Sequence, residues 1–477
     1  MTSTTTDGGA WLDQRSAARL RRRIAEGLHR ARAAGTPALV SITAALPGEH
    51  DPSAIVAASR RTGEPWFCLE QPDRDAIALA ALGAVRTLEA PGPARFDEVA
   101  GRWRALAAAA LADEAPGAPG GGLVALGGFA FAPDGGSSPM WSGFAPASLV
   151  VPEVSLARRE RSTWLTVNVD VAPDDTETEV VTRVDQRLAE LREVGLPLFD
   201  PAPTGGYEVV SPMPPAHFEE AVARATERIG AGELEKVVLA REVDVHAPRA
   251  HDPAAVFGLL REAFDTSFVY AVGRGDATFI GATPELLIRR QGQRASTVAL
   301  AGSTRRSADP AVDDHLGEQL LRSDKDRHEN AIVAHRIARG LRPHAVWVTA
   351  APEPVLVQVA NIQHLATPIR AQLAEPIDAV ALAGRLHPTP AVGAEPPSAA
   401  RAIPALEGFD RGWYAGTLGW TDATGDGEFC VALRCALLRD RLARCYAGCG
   451  IVRDSDPAAE LAESEIKLGV MLPALAG

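Results

Sequence analysis

Gly416-Thr417-Leu418-Gly419-Trp420-Thr421-Asp422, Glu428-Phe429-Cys430-Val431-Ala432-Leu433-Arg434-Cys435-Ala436-Leu437-Leu438 and Arg441-Leu442-Ala443-Arg444-Cys445-Tyr446-Ala447-Gly448 read as three strands in direct succession. Residues 457–472 behind them read as a helix, with Asp456 a good N-cap and Pro457 at the first helical position. Moving towards the N-terminus, strands are expected at 236–245, 267–274 and 277–282, and helices at 216–231, 253–264 and 378–386. Residues 314–341 carry one long helical pattern. Strands and helices mixed without regular βαβ spacing argue for an α+β fold over a doubly wound one.

The first part of the chain reads as a helix at 16–34, a strand at 38–45, a helix at 96–112, strands at 123–131 and 164–171, and a helix at 177–194. The Pro-rich stretch 197–215 is the best boundary. It separates an N-terminal portion, 16–200, from a catalytic portion, 216–477, with 1–15 expected to be a disordered tail.

With 23% charged and 46% hydrophobic residues over 477 positions, the chain has an ordinary globular composition. Its net charge of −13 argues against broad nucleic-acid or anionic-membrane binding, because no surplus of cations exists to displace counterions. No apolar run approaches the roughly 20 residues of a membrane helix. The Arg-rich segment 16–34 contains Glu26 and reads as an amphipathic surface helix, so a cytoplasmic location is expected. Four of the five cysteines (Cys430, Cys435, Cys445 and Cys449) lie within twenty residues, but their spacing fits no zinc ribbon. Buried thiols in a reducing compartment are the better reading of these and of Cys68.

Of 48 cationic side chains only Lys236, Lys325 and Lys467 are lysines. A lysine kept in so arginine-rich a chain can mark a place where Arg would fail, because Lys can lose its proton and its ammonium is a compact donor. Lys236 opens the apolar strand and is either an edge charge or a base facing a dry pocket. Glu285, just past Thr283-Pro284 and followed by Leu286-Leu287, is either a turn anchor or an acid with a raised pKa. Asp326 and Glu329 share one helical face, as do Glu460 and Glu463. These pairs are either solvated faces or the hard oxygen ligands that Mg²⁺ prefers. Lys467, four residues after Glu463, is either its surface ion-pair partner or a pocket cation. The runs Leu300-Ala301-Gly302-Ser303 and Tyr446-Ala447-Gly448-Cys449-Gly450, with Arg434, suit an anion held by backbone N–H groups and a guanidinium.

In order along the chain, Lys236-Val237-Val238-Leu239-Ala240-Arg241, Gly281-Ala282-Thr283-Pro284-Glu285, Leu300-Ala301-Gly302-Ser303, Lys325-Asp326-Arg327-His328-Glu329, His364-Leu365-Ala366-Thr367, His387-Pro388-Thr389-Pro390 and Phe409-Asp410-Arg411-Gly412-Trp413-Tyr414-Ala415-Gly416 resemble the chorismate-utilising enzymes. The resemblance implies a four-layer α/β/β/α fold with two packed antiparallel sheets. It also implies an isochorismate synthase of the menaquinone or siderophore type that acts on a small molecule; a monomer is expected, with no sequence feature behind that expectation. Lys236 resembles the base that activates water, a residue absent from the ammonia-using members, and Glu285 resembles the acid that protonates the leaving hydroxyl. Asp326, Glu329, Glu460 and Glu463 resemble Mg²⁺ ligands. Gly302, Ser303, His364, Thr389, Arg434, Gly448 and Lys467 resemble substrate contacts. Ala391 stands where salicylate-forming members carry Thr, whereas Tyr414 is shared with them. Salicylate synthase is therefore the alternative within the family, and a non-catalytic chorismate-binding paralogue the alternative outside enzymes.

Overall fold

The long strand Lys236–His246 pairs antiparallel with Leu442–Ile451 from Val237↔Ile451 to His246↔Leu442, and Cys435–Arg439 pairs on the far side of that partner. In this computed structural model, residues 11–114, 117–199, 205–359 and 362–476 are described. Among them the strands form two sheets, of twelve and ten strands. The main path of the first runs Ala38–Leu46, Ser162–Val171, Val154–Arg159, Ile77–Leu82, Gly63–Gln71, Phe268–Gly275, Ala277–Thr283, Cys435–Arg439, Leu442–Ile451, Lys236–His246 and Ala394–Glu395. The second runs Ala345–Ala350, Ile362–Leu373, Arg294–Arg305, Leu286–Gln291, Gly427–Val431, Thr417–Asp422, Val124–Phe129, Ala147–Val151 and Arg86–Glu89. Every ladder between these strands is antiparallel.

One buried apolar cluster joins side chains of both sheets, such as Phe67, Leu69, Phe129, Phe279 and Phe429, and continues under the helices Arg95–Ala109, Asp324–Leu341 and Ala379–Leu386. A second lies between the twelve-stranded sheet and the helices Gln14–Ala34, Pro52–Ser59, Glu177–Ala189 and Pro253–Ala263. Apolar faces thus meet in successive layers, as two-faced sheets require. The α+β class and the paired antiparallel sheets agree with expectation. The N-terminal and C-terminal portions build the same two sheets: Gly63–Gln71 pairs with Phe268–Gly275, and Val124–Phe129 pairs with Thr417–Asp422.

Four expectations change. The helical pattern at 314–341 is two helices, Pro310–Arg322 and Asp324–Leu341, because Ser323 leaves helical geometry (φ −69°, ψ 113°) and caps the second through the Asp326 N–H. The strand expected at 428–438 is two strands in different sheets, Gly427–Val431 and Cys435–Arg439. The tail expected at 1–15 has its first ten positions outside the described residues, while Asp13 caps the helix that starts at Gln14 and Leu12 is buried. Part of the connector expected at 197–215 also lies outside the described residues, at 200–204, and within the rest Glu208–Val210 adds a short strand to Lys236–His246.

Candidate active site

The chain steps from one sheet to the other at two adjacent places. Thr283-Pro284-Glu285 leaves Ala277–Thr283 for Leu286–Gln291, and Ala432-Leu433-Arg434 makes the reverse step from Gly427–Val431 to Cys435–Arg439. The crossings hold each other: the Val431 N–H donates to the Glu285 carbonyl (2.9 Å) and the Ala282 N–H donates to the Arg434 carbonyl (3.1 Å). Arg434 turns its corner with φ at +49°. A residue forced off the ladder at a crossing cannot continue the strand alternation, so Glu285 and Arg434 turn into the space between the sheets. Both line one cavity.

Glu285 is almost fully buried, and burial pushes its carboxyl up to about 7 against the opposing pull of Lys236, Arg434 and Lys467. Burial also lowers the Arg434 guanidinium and holds the His364 imidazole neutral, down to about 3. His364 Nε2 lies 3.5 Å from Arg434. Lys236 is fully buried, and its Nζ donates to Glu329 Oε1 at 2.8 Å. This contact needs Gly450 on the neighbouring strand. A Cβ there would sit 2.4 Å from Glu329 Oε1 and 3.0 Å from Lys236 Cε.

Two helix starts bring the acids in. Asp326 and Glu329 lie in the first turns after Ser323, and Glu460 and Glu463 in the first turns after Asp456 and Pro457. All four line the cavity. The Ser323 hydroxyl donates to Asp326, Ser455 Oγ to Glu460 Oε1 at 2.7 Å, and Ser303 Oγ to Glu463 Oε1 at 3.1 Å. Burial, reinforced by Glu329 and Glu463, raises the Asp326 carboxyl against its serine bond. Burial and Glu463 raise Glu460. Glu463 goes the other way, because Lys467 and Ser303 outweigh its burial. Lys467 Nζ sits 2.6 Å from Glu463 Oε1 and 2.9 Å from the Gly448 carbonyl. Gly302, at φ +79°, lets its strand pass Asp326, whose Cβ would lie 2.9 Å from a Cβ at that position. Cys449 Sγ lies within 4.8 Å of ligand atoms on Glu460 and Glu463, but burial raises the thiol and it donates to the Glu460 carbonyl (3.3 Å). All five cysteines are buried and free, as the thiol reading expects.

The structure therefore gathers Glu285, Gly302, Ser303, Asp326, Glu329, His364, Ala391, Tyr414, Arg434, Gly448, Glu460, Glu463 and Lys467 around one cavity, with Lys236 bonded to its wall. Thr389 is the exception. It is buried outside the lining, where its Oγ1 accepts the Ala391 N–H (3.3 Å) and its carbonyl accepts the Val392 and Gly393 N–H groups, so it shapes the turn that presents Ala391. Sequence reading assigned no role to Lys325, which also lines the cavity with Nζ 3.6 Å from Glu460 Oε1. Its signal was present, as one of three lysines. It also passed over Glu407 and Arg411, a buried ion pair behind the wall. Arg411 donates to the Val392 and Val238 carbonyls (2.7 and 2.9 Å), and Glu407 accepts the Ala240 N–H (2.7 Å).

The family model for chorismate binding enzymes matches residues 26–476, which spans both sheets and every residue of this cavity. The chain belongs to the chorismate-binding enzyme family. It is 36% identical to the salicylate biosynthesis isochorismate synthase of Pseudomonas aeruginosa over 89% of this chain and 88% of that one. It is 31% identical to isochorismate synthase MenF of Bacillus subtilis, over 96% and 98% of the two chains. Among solved structures it is similar to MenF, the menaquinone-specific isochorismate synthase of Escherichia coli, with a TM-score of 0.74, 25% identity and coverage of 96% and 100%. In this family member the acids and cations of the site come from both sheets and two helix starts, so the cavity forms only when the whole fold is assembled. No helix among the described residues is long and apolar enough to cross a membrane.

Proposed function

We propose that this chorismate-binding enzyme interconverts chorismate and isochorismate by adding water at C2 and expelling the C4 hydroxyl. The observation that carries the reading is the buried Glu285 carboxyl, raised to about 7 in the same cavity as the cations Arg434 and Lys467, with the fully buried Lys236 bonded to Glu329 of its wall. A carboxyl whose pKa is raised towards neutrality can keep its proton near pH 7, which is what a general acid needs. Arg434 and Lys467 supply charge for the substrate carboxylates, and the small Ala391 leaves room beside the ring.

Lys236 takes a proton from water as its oxygen bonds to C2, the ring electrons shift, and the C4–oxygen bond breaks with the proton coming from Glu285. One water enters and one leaves, so substrate and product are isomers. The four carboxylates are an all-oxygen donor set, two of whose members are raised by burial and then by their like-charged neighbours, and this fits a hard divalent cation. Asp326, Glu329, Glu460 and Glu463 would hold Mg²⁺, which when bound supplies positive charge for the ring carboxylate. The enzyme is proposed to act as a monomer in the cytoplasm.

Incubation with chorismate and Mg²⁺ followed by chromatography tests this. Isochorismate without pyruvate is the expected product, and EDTA should abolish its formation until Mg²⁺ is restored. Abundant salicylate and pyruvate would assign the lyase reaction instead. An aminated product with ammonium present would refute water as the nucleophile, and no turnover at all would leave a binding protein.

A further inference from the structure

The three lysines of this chain each face a different carboxylate of the acidic cluster. Lys236 Nζ is 2.8 Å from Glu329, Lys467 Nζ is 2.6 Å from Glu463, and Lys325 Nζ is 3.6 Å from Glu460. Asp326 takes the Ser323 hydroxyl instead. Every carboxylate of the cluster thus has a partner from the protein itself, and the partners differ in freedom.

Lys236 has no exposed side-chain surface, and Lys467 is tied a second time to the Gly448 carbonyl. Neither can leave without opening the core. The Lys325 side chain is 47% exposed, sits at the second position of its helix, and reaches Glu460 through the longest of the three contacts. It can swing into water at the cost of one long ion pair. It is thus a cation that faces the cluster with no tight contact of its own.

We propose that Lys325 is the displaceable counter-charge of the acidic cluster, neutralising Glu460 while no cation is bound and turning to solvent when a divalent cation takes the carboxylates. This rests on the cation-site reading above and adds how that site is regulated. The competing ammonium weakens cation binding relative to the bare cluster and keeps the helix starts together without one. It also accounts for a lysine at this position in a chain that elsewhere chooses arginine. A guanidinium would grip Glu460 in a planar fork and release it less readily, whereas an ammonium is a point charge on a flexible stem.

Calorimetric titration of MgCl₂ into the full-length protein, at fixed pH and ionic strength, tests the proposal with no substrate present. Lys325→Met should bind Mg²⁺ about 10-fold more tightly than the unaltered chain, since a unit charge a few ångströms from the ion is removed. Lys325→Arg should bind more weakly than the unaltered chain. Equal or weaker binding by Lys325→Met, in protein whose circular dichroism is unchanged, would overturn the counter-charge role, as would Lys325→Arg binding as tightly as Lys325→Met. If neither the unaltered chain nor Lys325→Met binds Mg²⁺, the cation-site reading itself fails and takes this inference with it. Binding by the unaltered chain with no gain in Lys325→Met removes this inference alone.

Discussion

Glu285→Gln separates the chemistry of the site from its stability. The carboxyl is moved from 4.5 to about 7 by burial, so the native state binds more protons than the unfolded state between those values. Stability therefore falls as pH rises through this window, and above it the full penalty remains. A displacement of about 2.5 pH units at 1.36 kcal/mol each costs roughly 3 kcal/mol at pH 8. Glutamine keeps the shape and cannot ionise, so it should return that stability. For 477 residues the unfolding entropy is on the order of 1 kcal/mol per degree, which makes the expected gain in Tm about 3 °C at pH 8 and about 1 °C at pH 5. Turnover of chorismate should fall about 10²- to 10⁴-fold if Glu285 is the proposed proton donor to the leaving hydroxyl. Scanning calorimetry at the two pH values and a product assay read both effects. A gain equal at pH 5 and pH 8, or turnover within about tenfold of the unaltered enzyme, would refute the reasoning.

Lys236→Ala should lower turnover by about 10²-fold or more, and unchanged turnover in a product assay would remove Lys236 as the base. Gly450→Ala places a Cβ against Glu329 and Lys236, backed by strand pairing on both sides of that contact. Its activity should drop sharply while circular dichroism stays native, and retained activity would show that the Lys236–Glu329 contact can move freely. Glu407→Gln leaves the Arg411 guanidinium buried without its counter-charge and should cost about 3 to 5 kcal/mol in denaturant unfolding. A cost below about 1 kcal/mol would show that the pair does not hold Val238 and Val392 in place.

Much of this site was legible because its residues sit in dense local motifs. Lys236 came with a strand start, Glu460 and Glu463 with a helix cap, Glu285 with a Thr-Pro turn, and Asp326 and Glu329 with a shared helical face. What was missed involves breaks in regular structure. Apolar periodicity continued through Ser323 and through Ala432-Leu433-Arg434, so each region read as one element, although a cap divides the first and a change of sheet the second. The strand Ile362–Leu373 carries His364, Thr367 and Pro368, and its polar members hid a central ladder that pairs with Arg294–Arg305. Arg411 sat in a quoted motif without a role and Glu407 outside one, because a buried ion pair four residues apart reads like a surface one until its burial is known.

Those breaks are also where the chemistry is. A strand within a sheet presents side chains alternately to two faces that are already packed, so it has few directions left for a charged group. Where two neighbouring segments change sheets together, the ladder is interrupted on both sides at once, and Glu285 and Arg434 enter the gap. The helix starts then close that gap with four carboxylates, three of which have a lysine Nζ within 3.6 Å. The net charge of −13 does not by itself decide what this cavity accepts, because Arg434 and Lys467 line it together with the acids Glu285, Asp326, Glu329, Glu460 and Glu463. Buried charges are screened far less than the surface acids that make up that total. The local arrangement of a few groups, and not the sum over the chain, sets which ion this cavity accepts.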